Sequence, residues 1–227
     1  MNSDLRIAPY DLPDAELTKP SSEAARSCVF VPARTMVVIG KGSDPALELC
    51  QENIIADGVP VLRRGSGGCA VVLTSDMLAV SFAIQHQPQR RSSEYFRLFN
   101  AVIIRALQRN GVRGLAHAGT SDIALNGRKL AGTAIYRNRD LVFYHAIIVL
   151  AGRAGLMERY LKHPPRVPAY RAGRSHEEFV TSLAEAGFAV PLPRFQQDIE
   201  QEFRSTVTSL LPEASEELPV SWRKARA

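Results

Sequence analysis

The sequence predicts an α+β fold: a mainly antiparallel sheet whose strands come in two groups, with helices on the outside. Three observations predict it. Short β-branched apolar runs gather between residues 27 and 84 and again between 121 and 150. An Asn126-Gly127 pair, the strongest short hairpin signal, joins two runs of the second group. Helical periodicities fall between and after these groups. At 227 residues, 45% of them hydrophobic, the chain can bury a core without staples. Its composition excludes collagen-like, disordered and disulfide-scaffold proteins.

Residues 1–25 have little periodicity and several turn formers, which predicts a loose N-terminal arm. The runs 27–32 and 36–40 read as strands. Pro45 follows Asp44 at a favoured early helix position, and 46–58 reads as one helix with Leu47, Cys50, Ile54 and Ile55 on a face and Gly58 as its stop. The runs 59–64, 69–74 and 77–84 read as strands, the first entering a glycine-rich turn. Ser92 or Ser93 is placed to cap a long helix closed by Gly111. The hairpin at Asn126-Gly127 and a strand at 141–150 follow. A short helix after Gly155 stops at Pro164-Pro165, and a Pro- and Arg-rich linker leads to a capped helix from Ser175 to Gly187. A final helix starts near Pro193. The domain reading is an arm over 1–25, a catalytic unit over 26–190, and a C-terminal helical extension over 191–227 packed on the same unit.

The formal net charge is +5. It is uneven: residues 90–174 hold 16 Arg and Lys against four acids, whereas 175–220 hold two Arg against nine acids. A basic middle segment suits phosphates or an acidic partner; compensation by acids elsewhere in the fold is the plainer alternative. Cys28, Cys50 and Cys69 are widely spaced and form no metal pattern, as expected of reduced thiols in the cytoplasm. The polar N-terminus has no secretory pattern, and no apolar stretch is long enough to span a membrane.

Three constellations carry chemistry. Arg63-Arg64-Gly65-Ser66-Gly67-Gly68 lies between two strand runs. Closely spaced glycines let a backbone approach a ligand and turn N–H groups towards an anion, and the arginines add donors matched to phosphate or carboxylate. A glycine-rich surface turn would look the same. Second, the hairpin delivers Lys129 onto a strand followed by the small residues Gly132, Thr133 and Ala134, with Asp122 on the partner strand. A lysine there serves as a point charge for a carboxylate or phosphoryl oxygen, or is simply exposed. Third, His145 sits within an apolar strand, where a hydrogen-bonded core histidine is the commoner outcome.

Taken together and in order, the three resemble the signatures of the lipoate–protein ligase A family. Arg63 to Val71 is similar to R-R-x-S/T-G-G-G-x-V. Residues 127–134, GRKLAGTA, resemble the lysine signature, and residues 144–150, YHAIIVL, resemble the H-H-G strand. TMVVIGKGSDP before them resembles the family's entry segment, and PPRVPAYRAGRSHEEFVTSL after them resembles a segment of shorter relatives without an accessory C-terminal domain. The resemblance implies a mixed sheet like that of biotin protein ligases and class II aminoacyl-tRNA synthetases. It implies an ATP-dependent ligase that activates lipoate or octanoate to acyl-AMP, with Mg²⁺ accompanying ATP. The acyl group would pass to a lysine of an acidic lipoyl domain of a 2-oxoacid dehydrogenase complex or of a glycine-cleavage H-type protein. Nucleic acid and membrane are not implied partners; a separate accessory subunit is left open. Lys129 is the catalytic residue carried over. Arg64, Ser66, Gly67, Gly68, Cys69, Ala70, Val71 and Val72 are implied to wrap the adenylate, with Asp122, Gly132, Thr133, Ala134 and His145 completing the site. No protein ligand to a metal is assigned.

The sequence departs from the pattern at several points. Cys69 replaces the third glycine, and strain is expected there if that position needs φ > 0. Leu73-Thr74, Ala79, Ser121, Tyr144 and Ala146 replace other family residues. Neither position where relatives that transfer octanoyl groups keep a cysteine has one here, near Val142 or Gly114. The alternatives are an acyltransferase working through Cys69 from acyl carrier protein, or a non-catalytic lipoyl-binding relative.

Overall fold

The computed structural model describes residues 5–85, 90–152, 154–164, 167–211 and 221–224. In chain order the elements are β1 (Ile7–Pro9), β2 (Ala25–Phe30), β3 (Met36–Ile39), α1 (Pro45–Glu48), α2 (Gln51–Ala56), β4 (Val61–Arg63), β5 (Val71–Leu73), β6 (Met77–Gln85), α3 (Ser92–Arg109), β7 (Leu115–Ala118), β8 (Asp122–Leu125), β9 (Arg128–Arg137), β10 (Leu141–Val149), α4 (Gly155–Tyr160), α5 (His176–Phe179), α6 (Leu192–Leu210) and β11 (Ser221–Lys224). A seven-stranded sheet runs β11-β2-β6-β10-β9-β8-β7, and a four-stranded sheet runs β1-β4-β3-β5. The large sheet is antiparallel except where β11 lies parallel to β2; the small one is mixed.

The large sheet has two unlike faces because β10 alternates. Tyr144, Ala146 and Ile148 point into the main core, against Phe99, Val102 and Ile103 of α3 and Phe195, Ile199 and Phe203 of α6. Phe82 of β6 stacks on Phe203 with ring centroids 4.3 Å apart. Each such fully buried ring contributes about 2–3 kcal/mol by removal from water. The residues between them, Phe143, His145 and Ile147, face the other way, where the small sheet packs through Val38, Leu62 and Leu73. The site is built on this second face.

Several expectations change. Residues 7–18 are not a loose arm. β1 pairs with β4, and Pro13–Thr18 forms a 3-10 turn that buries Asp14 and Leu17. Long-range pairing and burial order this segment, and local periodicity does not report either. Residues 1–4 lie outside the described residues, as do 212–220 and 225–227 of the expected C-terminal extension and 165–166 of the linker. The single helix expected over 46–58 is broken at Leu49, which pairs with Leu161. Of the expected face Ile54 is buried, but Leu47 and Ile55 are 62% and 39% exposed, and Leu49 is buried in their place. The helix from Ser175 is capped as expected, but ends after one turn because Val180 pairs with Lys129. Arg91, rather than a serine, caps α3; its N–H donates to the Glu94 carboxylate. β7, short and without β-branched residues, had no sequence signal.

Candidate active site

The glycine-rich turn joins β4 to β5 and is fixed from below. Gly68 takes the left-handed conformation, at φ 94°. Gly40, at the end of β3, lies so close beneath it that a Cβ would stand 2.1 Å from the Gly68 carbonyl oxygen. Lys41 N–H donates to the Ser66 carbonyl, and Arg64 N–H to that of Ile39. Arg63 donates through Nη1 to the carbonyls of Gly40 and Ser43. Arg64 is 5% exposed and folds back into the turn. Its Nε donates to Ser66 Oγ at 3.1 Å, Nη2 to the carbonyls of Gly67 and Cys69 at 2.8 and 2.9 Å, and Nη1 to that of Val38. Burial holds the guanidinium pKa below its ordinary value. This arginine spends its donors on shaping the turn.

Cys69 is not strained, because Gly68 alone in the turn takes positive φ. Ala70 N–H donates to the Glu48 carboxylate. Val71 packs between the sheets, and Val72 is buried on the far side of the small sheet with Val37 and Ile39. Val72 therefore supports the turn from the core rather than meeting a ligand.

At the second motif, Asn126 and Gly127 both take positive φ, 50° and 77°, as a tight type I′ turn requires. Lys129 Nζ lies 2.8 Å from Asp122 Oδ1, and Tyr170 donates its hydroxyl to Asp122 Oδ2 at 2.8 Å. Burial, together with the Asp122 charge, pushes the Tyr170 phenol pKa far up. The lysine lies along its own strand: a Cβ on Gly132 would come within 3.3 Å of Nζ. Thr133 has the opposite orientation from the one expected. It pairs with Ala146, which faces the main core, and its hydroxyl donates to the Ser121 carbonyl at 2.6 Å. Ala134 pairs with His145 across the sheet and lies under Gly68.

His145 links the third motif to the first. Its Nε2 shares a 2.8 Å hydrogen bond with Ser66 Oγ, and its Nδ1 lies 3.8 Å from Asp14 Oδ2. Asp14 also accepts from Ser81 Oγ at 2.6 Å and Tyr10 Oη at 2.7 Å. Burial drives the His145 pKa below its ordinary value despite Asp14, so the ring is neutral at neutral pH. Burial alone would raise the Asp14 carboxyl; the neighbouring His145 ring and the hydrogen bonds from Ser81 and Tyr10 bring it below the ordinary value.

A cavity of about 690 Å³ opens beside this pair. Ile7, Pro9, Ala15, Tyr136 and Phe143 supply apolar wall, and Lys41, Arg63, Arg64, Ser66 and His145 supply polar and basic groups. Lys129 stands outside this lining, over Gly132, two strand residues from Ala134 or roughly 7 Å.

A family model described as the lipoyl protein ligase A/B catalytic domain matches residues 14–204. The chain belongs to that family. Lipoate–protein ligase 1 of Staphylococcus aureus (strain Mu50 / ATCC 700699) is 27% identical over 157 residues, 69% of this chain and 47% of that protein. The chain spans less than half the length of the first curated relatives it matches. Among solved structures, a bi-partite lipoate protein ligase from Thermoplasma acidophilum, studied with its E2 lipoyl domain, has a TM-score of 0.74 at 15% identity, covering 97% of this chain and 86% of that one. A lipoate-protein ligase A bound with ATP has a TM-score of 0.71 at 18% identity, covering 93% and 94%. At these identities the likeness establishes a shared fold.

Within this lipoyl protein ligase fold, Ser66, Gly67, Gly68, Gly132, Ala134, His145 and Lys129 converge on one face of the large sheet, with Asp122 holding Lys129. Arg64 and Val72 act through the turn's architecture, and Thr133 lies on the other face. Asp14, Tyr10, Ser81 and Tyr170 were missed. Tyr170 was visible in the PAYRAGR stretch but had no assigned role. Asp14 had no signal, because Ser81 and His145 reach it from distant strands and its local partner Tyr10 follows no recognised pattern. Among the described residues no helix is long and apolar enough to cross a membrane.

Proposed function

We propose that this chain is an ATP-dependent lipoate–protein ligase. Lipoate or octanoate is activated to acyl-AMP, and the acyl group passes to a lysine amine of a lipoyl carrier domain. The observation that carries this reading is the placement of the glycine turn, Lys129 and the Ser66–His145 pair on one face of the large sheet, the pair beside a cavity with an apolar wall and basic residues. A medium-chain acid suits that wall: at ~0.8 kcal/mol per buried methylene, seven methylenes contribute several kcal/mol. In the first step a carboxylate oxygen bonds to the α-phosphorus and the bond to pyrophosphate breaks. Charge builds up there, so preorganised donors dominate catalysis. The backbone of residues 65–69 and Lys129 are the donors of this reading; Lys129 exchanges Asp122 for the acyl carbonyl and the phosphate. In the second step the carrier amine bonds to the acyl carbon, AMP leaves, and the amine loses its proton.

ATP is a substrate here, and the ATP-bound relative supports that assignment. Mg²⁺ would travel with the triphosphate; Asp122, the site's carboxylate beside Lys129, already has both oxygens engaged. The carrier of this reading is an acidic lipoyl domain of a 2-oxoacid dehydrogenase complex or an H-type protein, by analogy with the archaeal relative and its E2 lipoyl domain. That relative is bi-partite, which leaves room for a separate accessory subunit.

The test is pyrophosphate release from ATP with lipoate and Mg²⁺. Lys129→Ala is expected to slow it about 10²–10³-fold, or ~3–4 kcal/mol. Acyl transfer from octanoyl carrier protein without ATP, abolished by Cys69→Ala, would overturn the reading.

A further inference from the structure

The N-terminal segment brings a carboxylate behind the His145 ring. Asp14 is 1% exposed and is held from two directions: by Ser81 of β6 and by Tyr10, four residues upstream. Three further groups face the same pocket. Arg64 lies on the turn side, Cys28 lies opposite Ser81 on β2, and the Phe143 ring lies 5.1 Å from His145. Asp14 and Arg64 act directly on His145; Tyr10 and Cys28, with Lys41 and Arg63 of the cavity lining, are the further ionisable groups on this side of the sheet. Asp14 is the acid among them, on the Nδ1 side; the opposite ring nitrogen meets Ser66.

We infer that Asp14 is a positioning residue of the site: fixed by the Ser81 and Tyr10 hydroxyls, it holds the His145 ring with its proton on Nδ1, so that Nε2 accepts from Ser66 and locks the glycine turn. The hydrogen bonding follows in one direction. Arg64 Nε donates to Ser66 Oγ, and the Ser66 hydroxyl donates to Nε2. Nδ1 lies 3.8 Å from Asp14 Oδ2, so the carboxylate's charge favours a proton on that nitrogen. The consequence for the reaction rests on the proposed ligase reading; the proton placement on His145 does not.

Two variants test it with opposite signs. Asp14→Asn removes the charge that favours protonation of His145, so the His145 titration midpoint, followed by NMR and assigned with His145→Gln, is expected to fall by about one unit. Tyr10→Phe strips a donor from Asp14 and leaves its charge acting more fully on His145, so the midpoint is expected to rise. The acid limb of kcat/KM for lipoate should follow both shifts, and the KM for lipoate should rise about tenfold in Asp14→Asn. If Asp14→Asn does not fold, Tyr10→Phe decides alone. A midpoint that stays within experimental error in the folded variants overturns the inference. If the midpoints move while the wild-type protein never releases pyrophosphate, the ligase reading fails and the positioning role stands.

Discussion

Gly40 occupies a position with no room for a side chain. Its Cβ would stand 2.1 Å from a backbone oxygen of Gly68, whereas Gly42, two residues on, has nothing within 4 Å of its Cβ site. Neither has positive φ, so the contrast isolates contact from conformation. Gly40→Ala is expected to destabilise the protein by roughly 1–3 kcal/mol, as overpacking does, and to depress pyrophosphate release; Gly42→Ala should melt and react like the wild type. Melting temperatures and the activity assay check both. The residues that meet at this turn were legible to different degrees. Ser66, Gly67, Gly68, Lys129 and His145 stood in sequence patterns whose chemistry is local. The Arg64 side chain looked like a ligand donor in sequence, yet its partners are the carbonyls of its own turn. Asp14 was silent, because only the folded chain brings it to Ser81 and His145.

The elements carry the same division between local and distant causes. The β8–β9 hairpin was legible because Asn-Gly encodes its turn without outside help. The α3 and α6 helices were legible from the spacing of their apolar faces. The α1–α2 break was not, since Leu49 leaves the helix to pair with Leu161. That junction is held by a second long-range contact. Arg159 of α4 donates through Nε and Nη2 to the two Asp57 oxygens at 2.6 and 2.8 Å, and Tyr160 adds its hydroxyl at 2.8 Å. These bonds pull the Asp57 pKa down to about 2. A carboxyl that is more acidic when folded stabilises above its unfolded pKa, and that contribution is lost as the pH falls through the folded value. Asp57→Asn should therefore lower the melting temperature near pH 6, and its deficit against the wild type should shrink as the pH falls below about 4 and vanish only below about pH 2.

Across the whole molecule the charge asymmetry acquires partners. Arg105 and Arg109 of α3, from the basic middle segment, reach Glu202 of α6, and Arg109 also reaches Asp198. Arg128 reaches Glu185. Part of the apparent basic surface is thus answered by the chain's own acidic C-terminal part: Glu202 is buried and meets two arginines, whereas the Arg128–Glu185 pair is exposed enough to add little stability. For the remainder, the ligase reading predicts electrostatic docking of an acidic carrier. The KM for the lipoyl domain should rise with added salt, and the KM for lipoate should not. A carrier KM independent of salt would remove the basic face from the reading. The parallel pairing of β11 with β2 matters at this scale for a different reason. A strand edge open to solvent offers its unpaired backbone groups to any passing chain, and β2 is buried at five of its six residues. By occupying that border, Ser221–Lys224 works as a selvedge. It leaves the large sheet bounded on both sides by strands of only four residues, poor templates for self-association.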